Sequence, residues 1–195
     1  MEDARDSGAA IGESRGTLWT IGHSTRSFEE FLALLAERRI QFLADVRHFP
    51  TSQRVPWTAK ASLGKALSES GIAYEHFEAL GGFRKALPHS VNLGWRNSGF
   101  RGYADYMASA EFSAGLDRLI AIASERRTAI VCAEAVPWKC HRSLLSDALL
   151  VHAVRVVHIL SAGNTQDHRL TAFARVYDTR VTYPATRKGF KERDR

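Results

Sequence analysis

Residues 128–150 read TAIVCAEAVPWKCHRSLLSDALL. The apolar run TAIVCAE (128–134) has strand length, and CHRSLLSDALLVHA (140–153) carries apolar residues at helical spacing. Between them lie two cysteines, a glutamate, a tryptophan, a histidine and an arginine. A strand that passes through a short polar turn into an amphipathic helix is the opening of a βαβ crossover, and VRVVHILS (154–161) supplies the strand that completes it.

The pattern repeats outward. TLWTIGHST (17–25) is an apolar strand that stops at Gly22. The helix SFEEFLALLAERR (27–39) follows, with Phe28, Phe31, Leu32 and Leu35 on one face and Ser27 and Glu30 forming an S-x-x-E capping box. IQFLADVRHFP (40–50) is the next strand, AKASLGKALSESG (59–71) a helix and IAYEHFEAL (72–80) a third strand that ends at Gly81 and Gly82. The irregular stretch 81–102 is long for a compact domain, and such loops are usually functional. Helical pattern resumes over 103–126. Strands alternating with helices predict a single α/β domain, with a mostly parallel sheet of about five strands flanked by helices. The domain is expected over 17–162, preceded by a flexible leader (1–16) and followed by a basic extension (163–195).

Composition sets limits. The chain has 195 residues, enough for one domain with a sizeable core. No apolar run approaches the ~20 residues that cross a bilayer, and the first residues lack the apolar core of a secretory signal, so a cytoplasmic protein is expected. The net charge of +6 favours phosphate-rich partners such as DNA or a nucleotide, although the tail TRKGFKERDR holds much of the excess. Two cysteines do not make a disulfide scaffold.

Parallel sheets gather ligands at the carboxyl ends of their strands. That rule predicts convergence of His23, Ser24 and Arg26 with Asp45 and Arg47, Gly81 and Gly82, Cys132 and Glu134, and Cys140, His141 and Arg142. Glu134 is the leading catalytic candidate, as a base, nucleophile or stabiliser of positive charge. The plainer alternative is an ion pair with Arg142 or Arg47. Asp45 is a second catalytic carboxylate that divides acid and base work with Glu134, or else a holder of Arg47. Cys140, His141 and Arg142 open a helix, where backbone N–H groups and a guanidinium attract anions and depress a thiol pKa. His23, Ser24, Arg26, Arg47 and Arg101 complete the expected phosphate- or substrate-binding set. Trp57, Trp95, Tyr103 and Trp138, among basic residues, are expected to stack on bases.

A phosphatase or rhodanese loop places an arginine at a fixed offset after its cysteine. Trp138 and Ser146 stand six residues after Cys132 and Cys140, so the pattern fails. Zinc needs about four ligands and only Cys132, Cys140 and one histidine are on offer, so neither metal nor cofactor is expected. Buried, unreactive cysteines are the plainer reading.

The motifs TIGHST, DVRHFP, LGG, FRGYADYM and CAEAVPWKCHR, spread over residues 17 to 162, resemble the family called domain of unknown function 488. The resemblance implies a compact α/β domain and fixes no substrate. It bears on His23, Ser24, Asp45, Arg47, Gly81, Gly82, Arg101, Tyr103, Cys132, Glu134, Cys140, His141 and Arg142.

Three functions are expected to compete. The first is an enzyme acting on nucleic acid or a nucleotide, most specifically a DNA-repair N-glycosylase for damaged bases such as alkylated ones. There Glu134 serves an oxocarbenium-like transition state or activates water. The second is a thiol-dependent redox or sulfur-transfer enzyme using Cys140 with Cys132 resolving. The third is a non-catalytic DNA- or nucleotide-binding module, which gains nothing from a carboxylate beside its phosphate.

Overall fold

The structure is a computed structural model and describes residues 16–51 and 54–185. The expected leader, apart from Gly16, and the basic tail 186–195 lie outside them. The chain folds as a single α/β domain in the order β1 (Thr17–Gly22), α1 (Phe28–Glu37), β2 (Phe42–Asp45), α2 (Lys60–Glu69), β3 (Ala73–His76), α3 (Ser98–Tyr106), α4 (Ala110–Glu125), β4 (Thr128–Cys132), α5 (Arg142–Val151), β5 (Arg155–Ser161), β6 (Asn164–Asp167), β7 (Arg175–Tyr177) and β8 (Arg180–Thr182). Among the described residues, no helix is long and apolar enough to cross a membrane.

The main sheet runs β3-β2-β4-β1-β5-β6, and every pairing is parallel except β5 with β6. Crossovers of one hand place connections running in opposite directions on opposite faces. The connections β1–β2 and β2–β3 run toward the β3 edge, and their helices α1 and α2 share one core with Ile21, Leu43 and Val131. The connections β3–β4 and β4–β5 run the other way, and α3, α4 and α5 pack with Leu18, Ala44 and Ile130 on the other face. β1 and β4 are therefore neighbours whose crossovers diverge. A crevice opens beyond their carboxyl ends.

The capping box forms as read: the Ser27 hydroxyl accepts from Glu30 N at 3.1 Å, and the Glu30 carboxylate accepts from Ser27 N at 2.9 Å. Two expectations are corrected, the single helix over 103–126 and the domain end at residue 162. The helical stretch 103–126 is two helices, because Ser109 caps α4 by accepting from Phe112 N, and α3 starts earlier, at Ser98, capped by Asn97, whose side chain accepts from Gly99 N and Phe100 N. The sheet has six strands, and the sixth comes from the segment read as an extension beyond residue 162. Packing does not end there: Tyr183 is fully buried, and its hydroxyl donates to the Asp147 carboxylate on α5 at 2.8 Å.

Candidate functional site

A cavity of about 350 Å³ lies beyond the carboxyl ends of β1, β2 and β4. Its walls include His23, Arg47, His48, Phe49, Gly82, Phe83, Phe100, Tyr103, Cys132, Glu134, Lys139, Cys140 and His141. Seven positions singled out at strand ends thus meet here: His23, Arg47, Gly82, Cys132, Glu134, Cys140 and His141. Two larger depressions lie elsewhere. One, of about 570 Å³, is at the opposite, amino-end edge beside Arg38, Arg127 and Arg155; the other, of about 560 Å³, lies between α3, α4 and β8.

Glu134 is exposed on the cavity wall. The alternative ion pair with Arg142 or Arg47 does not form: Arg142 donates to the Glu134 backbone carbonyl, and Arg47 is held by Asp45. The loop carrying Glu134 crosses tightly over the end of β1. A Cβ on Gly22 would stand 1.8 Å from the Glu134 carbonyl oxygen, so only glycine fits where the first strand stops.

Asp45 is fully buried and is not at the cavity. Its Oδ1 accepts from Arg47 N (3.1 Å) and Nε (2.8 Å), and its Oδ2 accepts from Arg47 Nη2 and the Tyr74 hydroxyl (2.7 Å). Four donors saturate the carboxylate, which leaves it no capacity for a substrate proton. The expectation of a second catalytic carboxylate is corrected to a buried ion pair. Burial pulls the Arg47 guanidinium down, but the hydrogen bond and charge of Asp45 outweigh it and hold its pKa up. Burial, then Asp45, raises the Tyr74 hydroxyl. The bonds of Arg47 run through N, Nε and Nη2, the last also reaching the Thr58 carbonyl, and the residue still lines the cavity.

His23 donates Nδ1–H to the Ser24 carbonyl (3.0 Å), which leaves Nε2 as its unprotonated nitrogen. Burial, assisted by the charges of Arg47 and Arg142, lowers its pKa, so at neutral pH it is an uncharged acceptor.

Cys132 ends β4, while Cys140 and His141 precede α5. The sulfurs lie 3.9 and 3.6 Å from His141 Nδ1, and the three ligand atoms are within 4.8 Å of one another. His141 donates Nε2–H to the Val46 carbonyl (2.9 Å), so the Nδ1 lone pair faces both sulfurs. Cys140 is the thiol held low: it takes a hydrogen bond from Cys132, sits near His141 and Arg142, and lies 3.5 Å from the donor Arg142 N. Cys132 is correspondingly pushed up, by that same bond and by burial. Gly82 covers the imidazole, since a Cβ there would stand 3.0 Å from Nδ1.

The remaining expected site residues do not line the cavity or are not free to bind. Arg26 donates to the Gly22 and Leu160 carbonyls, and Arg101 to the Trp95 carbonyl, so both brace backbone. Arg142 is 1% exposed and donates to Thr20 Oγ1 as well as to Glu134 O; its position at the start of α5 turns it into the core, away from any phosphate. Ser24 takes a left-handed turn (φ 51°), its N–H donating to the Ala133 carbonyl. Gly81 packs against the His48 backbone.

The expected stacking set is dispersed. Trp57 donates to the Arg26 carbonyl and packs on Phe28 and Phe31. Trp95 is enclosed by Phe100, Phe173 and Tyr183. Trp138 is 55% exposed, but in a separate depression with His158 and His168. Tyr103 does line the cavity, yet it is buried, with its hydroxyl donating to the Leu80 carbonyl and its ring against His141. The exposed aromatic rings at the cavity are instead Phe49 (65% exposed) and Phe83 (83%), 6.0 Å apart, with His48 beside both. Phe83 also holds a left-handed backbone (φ 59°), which a bulky side chain adopts at a cost. The sequence signal was faint: single phenylalanines in the polar turns RHFP and GGFR.

The family model described as "Domain of unknown function DUF488" matches residues 27–149, a span that includes DVRHFP, LGG, FRGYADYM and CAEAVPWKCHR and leaves TIGHST upstream. No curated protein and no solved structure matches the chain.

Proposed function

The chain belongs to the DUF488 family, and we propose that it is a hydrolase of the N-glycosidic bond between a nucleobase and its sugar, acting on damaged bases in DNA or on a nucleotide. One observation carries this reading. Glu134 presents a carboxylate, without an ion-pair partner among the described residues, on the wall of a cavity that also holds two exposed phenylalanine rings.

A cavity of about 350 Å³ suits a small heterocycle, and its rim offers the flat apolar faces that stack on one. Arg47 and Lys139 on the same walls favour an anionic substrate, as does the net charge of +6. In the reaction, water adds to the anomeric carbon and the bond to the base nitrogen breaks with its electron pair. Glu134 takes a proton from that water and passes it to a base that leaves as an anion, or to solvent when a cationic alkylated base leaves neutral. Alkylated bases already carry positive charge and leave readily, so one carboxylate is sufficient. His23, uncharged at neutral pH, offers an acceptor nitrogen in the same cavity.

The test is mass-spectrometric detection of free bases released from DNA bearing methylated, deaminated or oxidised bases, with wild type and Glu134→Gln both shown to be folded. Release by wild type, reduced about 100-fold or more in the variant, is expected for a positioned acid–base group. No release across the panel sinks the proposal.

A second reading, thiol chemistry at Cys140, is favoured by the neighbouring Cys132 thiol and the Arg142 N–H directed at the Cys140 sulfur. Under that reading Cys140→Ser abolishes the thiol activity, whereas Glu134→Gln leaves it largely intact.

A further inference from the structure

We infer that Cys132, Cys140 and His141 form a three-ligand site for a zinc-class divalent ion, with the fourth coordination position turned toward the cavity. Counting ligands along the sequence argued against a metal, because two cysteines and one histidine are one short of a closed structural site. A catalytic site has the opposite requirement: three protein ligands and an open position.

The geometry meets that requirement on four points. The donor atoms come from two chain segments, the end of β4 and the turn before α5, and converge within 4.8 Å. With zinc–sulfur bonds of about 2.3 Å and zinc–nitrogen bonds of about 2.0 Å, tetrahedral geometry separates sulfur from nitrogen by about 3.5 Å. The observed separations are 3.6 and 3.9 Å. A small inward movement of Cys132 completes the site.

The histidine is also prepared in the manner of a metal ligand. Its Nε2–H is fixed on the Val46 carbonyl, which sets the tautomer and aims the Nδ1 lone pair at both sulfurs. The Arg142 N–H, directed at Cys140 Sγ, suits a coordinated thiolate. Two thiolates with one imidazole select zinc over the hard cations. Finally, all three residues line the 350 Å³ cavity, and Glu134 shares that wall. Water or a substrate group at the fourth position would stand in the cavity where the nucleobase is proposed to bind. Coordination there lowers the pKa of bound water toward neutrality, which supplies a nucleophile for hydrolysis.

The inference does not rest on the base-release reading, because metal loading is read on the metal. The full chain, reduced and dialysed, is loaded with zinc or cobalt(II); zinc is quantified by mass spectrometry, and the cobalt spectrum reports the ligands. One ion per chain is expected, with thiolate-to-cobalt charge-transfer bands and tetrahedral visible absorption. Zinc is also expected to protect both thiols from alkylation by at least 10-fold. Cys132→Ser, Cys140→Ser and His141→Ala should each weaken retention by 10-fold or more. If a variant fails to fold, the wild-type spectrum and the alkylation protection decide alone. A folded, reduced chain that retains neither ion overturns the site, as does cobalt bound without thiolate bands. Ready closure of a Cys132–Cys140 disulfide that added zinc does not slow also overturns it, and shifts weight to the thiol reading.

Discussion

Asp45→Asn separates a catalytic from a structural carboxylate. In the wild type four donors point at this side chain, three from Arg47 and one from Tyr74, and both members of the ion pair are buried. Asparagine keeps one oxygen. Its NH₂ group must face either the Oδ1 donors, Arg47 N and Nε, or the Oδ2 donors, Arg47 Nη2 and the Tyr74 hydroxyl. The tyrosine hydroxyl can rotate to accept, but a guanidinium cannot, so at least one donor–donor contact remains. The guanidinium also loses its counter-charge where water scarcely reaches it. Removing one partner of a buried ion pair costs about 3–5 kcal/mol, against a total domain stability of roughly 5–15 kcal/mol. At a urea dependence of about 2 kcal/mol per molar, the unfolding midpoint falls by roughly 1.5–2.5 M. The assay is urea denaturation followed by fluorescence and circular dichroism, with Asp45→Asn/Arg47→Met as the control. The double variant removes both charges and should recover a large part of the loss. Unfolding free energy within about 0.5 kcal/mol of wild type, together with loss of base release, would refute the structural assignment and return Asp45 to the reaction.

Three further outcomes are expected. His158 is held down to about 3, first by burial and then by the charges of His168 and Arg142. The unfolded chain therefore binds a proton that the folded chain refuses, and stability is lost as pH falls below about 6.5, by about 1.4 kcal/mol per unit. Urea curves at pH 7 and pH 5 should differ by about 2 kcal/mol through this group, and His158→Gln should flatten the difference. Gly22→Ala drives a Cβ into the Glu134 carbonyl and should cost about 3 kcal/mol or more, because backbone has to move; a thermal midpoint unchanged from wild type would contradict the close approach. Phe83→Gly relieves a left-handed backbone and should raise stability by about 1 kcal/mol. The same change removes a stacking face and should weaken base or nucleotide binding by roughly 5- to 150-fold, measured by titration calorimetry.

The convergence of residues at one edge was legible in the sequence for a reason independent of strand order. In a parallel sheet every strand brings its carboxyl end to the same side, so locating strand ends is enough to gather His23, Arg47, Cys132 and Glu134 without knowing that the order is β3-β2-β4-β1-β5-β6. What sequence could not resolve was the direction of each side chain once its strand ends. Asp45 and Arg47 are two residues apart, but only Asp45 still belongs to β2, and the chain turns the arginine back onto it. Arg142 stands where a helix start attracts anions, yet α5 leans on the sheet and its first residue points inward. Periodicity also cannot separate an exposed phenylalanine from a buried one in a turn, so Phe49 and Phe83 carry little signal in the sequence, while Trp57 and Trp95 stand out there but pack against the core. The cysteines, for which unreactive burial is the plainer reading of the sequence, acquire a geometry only with His141 Nδ1 and the Val46 carbonyl.

The least legible feature explains why the last strands matter to the site. From Asp147 on α5, a chain of hydrogen bonds runs through two histidines and Thr20 to Arg142. The carboxylate accepts from His168 Nε2, His168 Nδ1 pairs with His158 Nε2, His158 Nδ1 pairs with the Thr20 hydroxyl, and Thr20 Oγ1 accepts from Arg142. Each ring nitrogen of the two histidines has a partner in this array, and a buried network of that kind rigidifies its members. Its far end, Arg142, also grips the carbonyl of Glu134, and its backbone N–H is directed at the sulfur of Cys140. The residues proposed to act at the cavity are thus positioned by a buried guanidinium whose own position depends on His168, a residue from the segment beyond the expected domain end. That coupling gives β6 and the Tyr183 turn a role in the site without contact with it. It also makes the domain, as a functional unit, extend past residue 162.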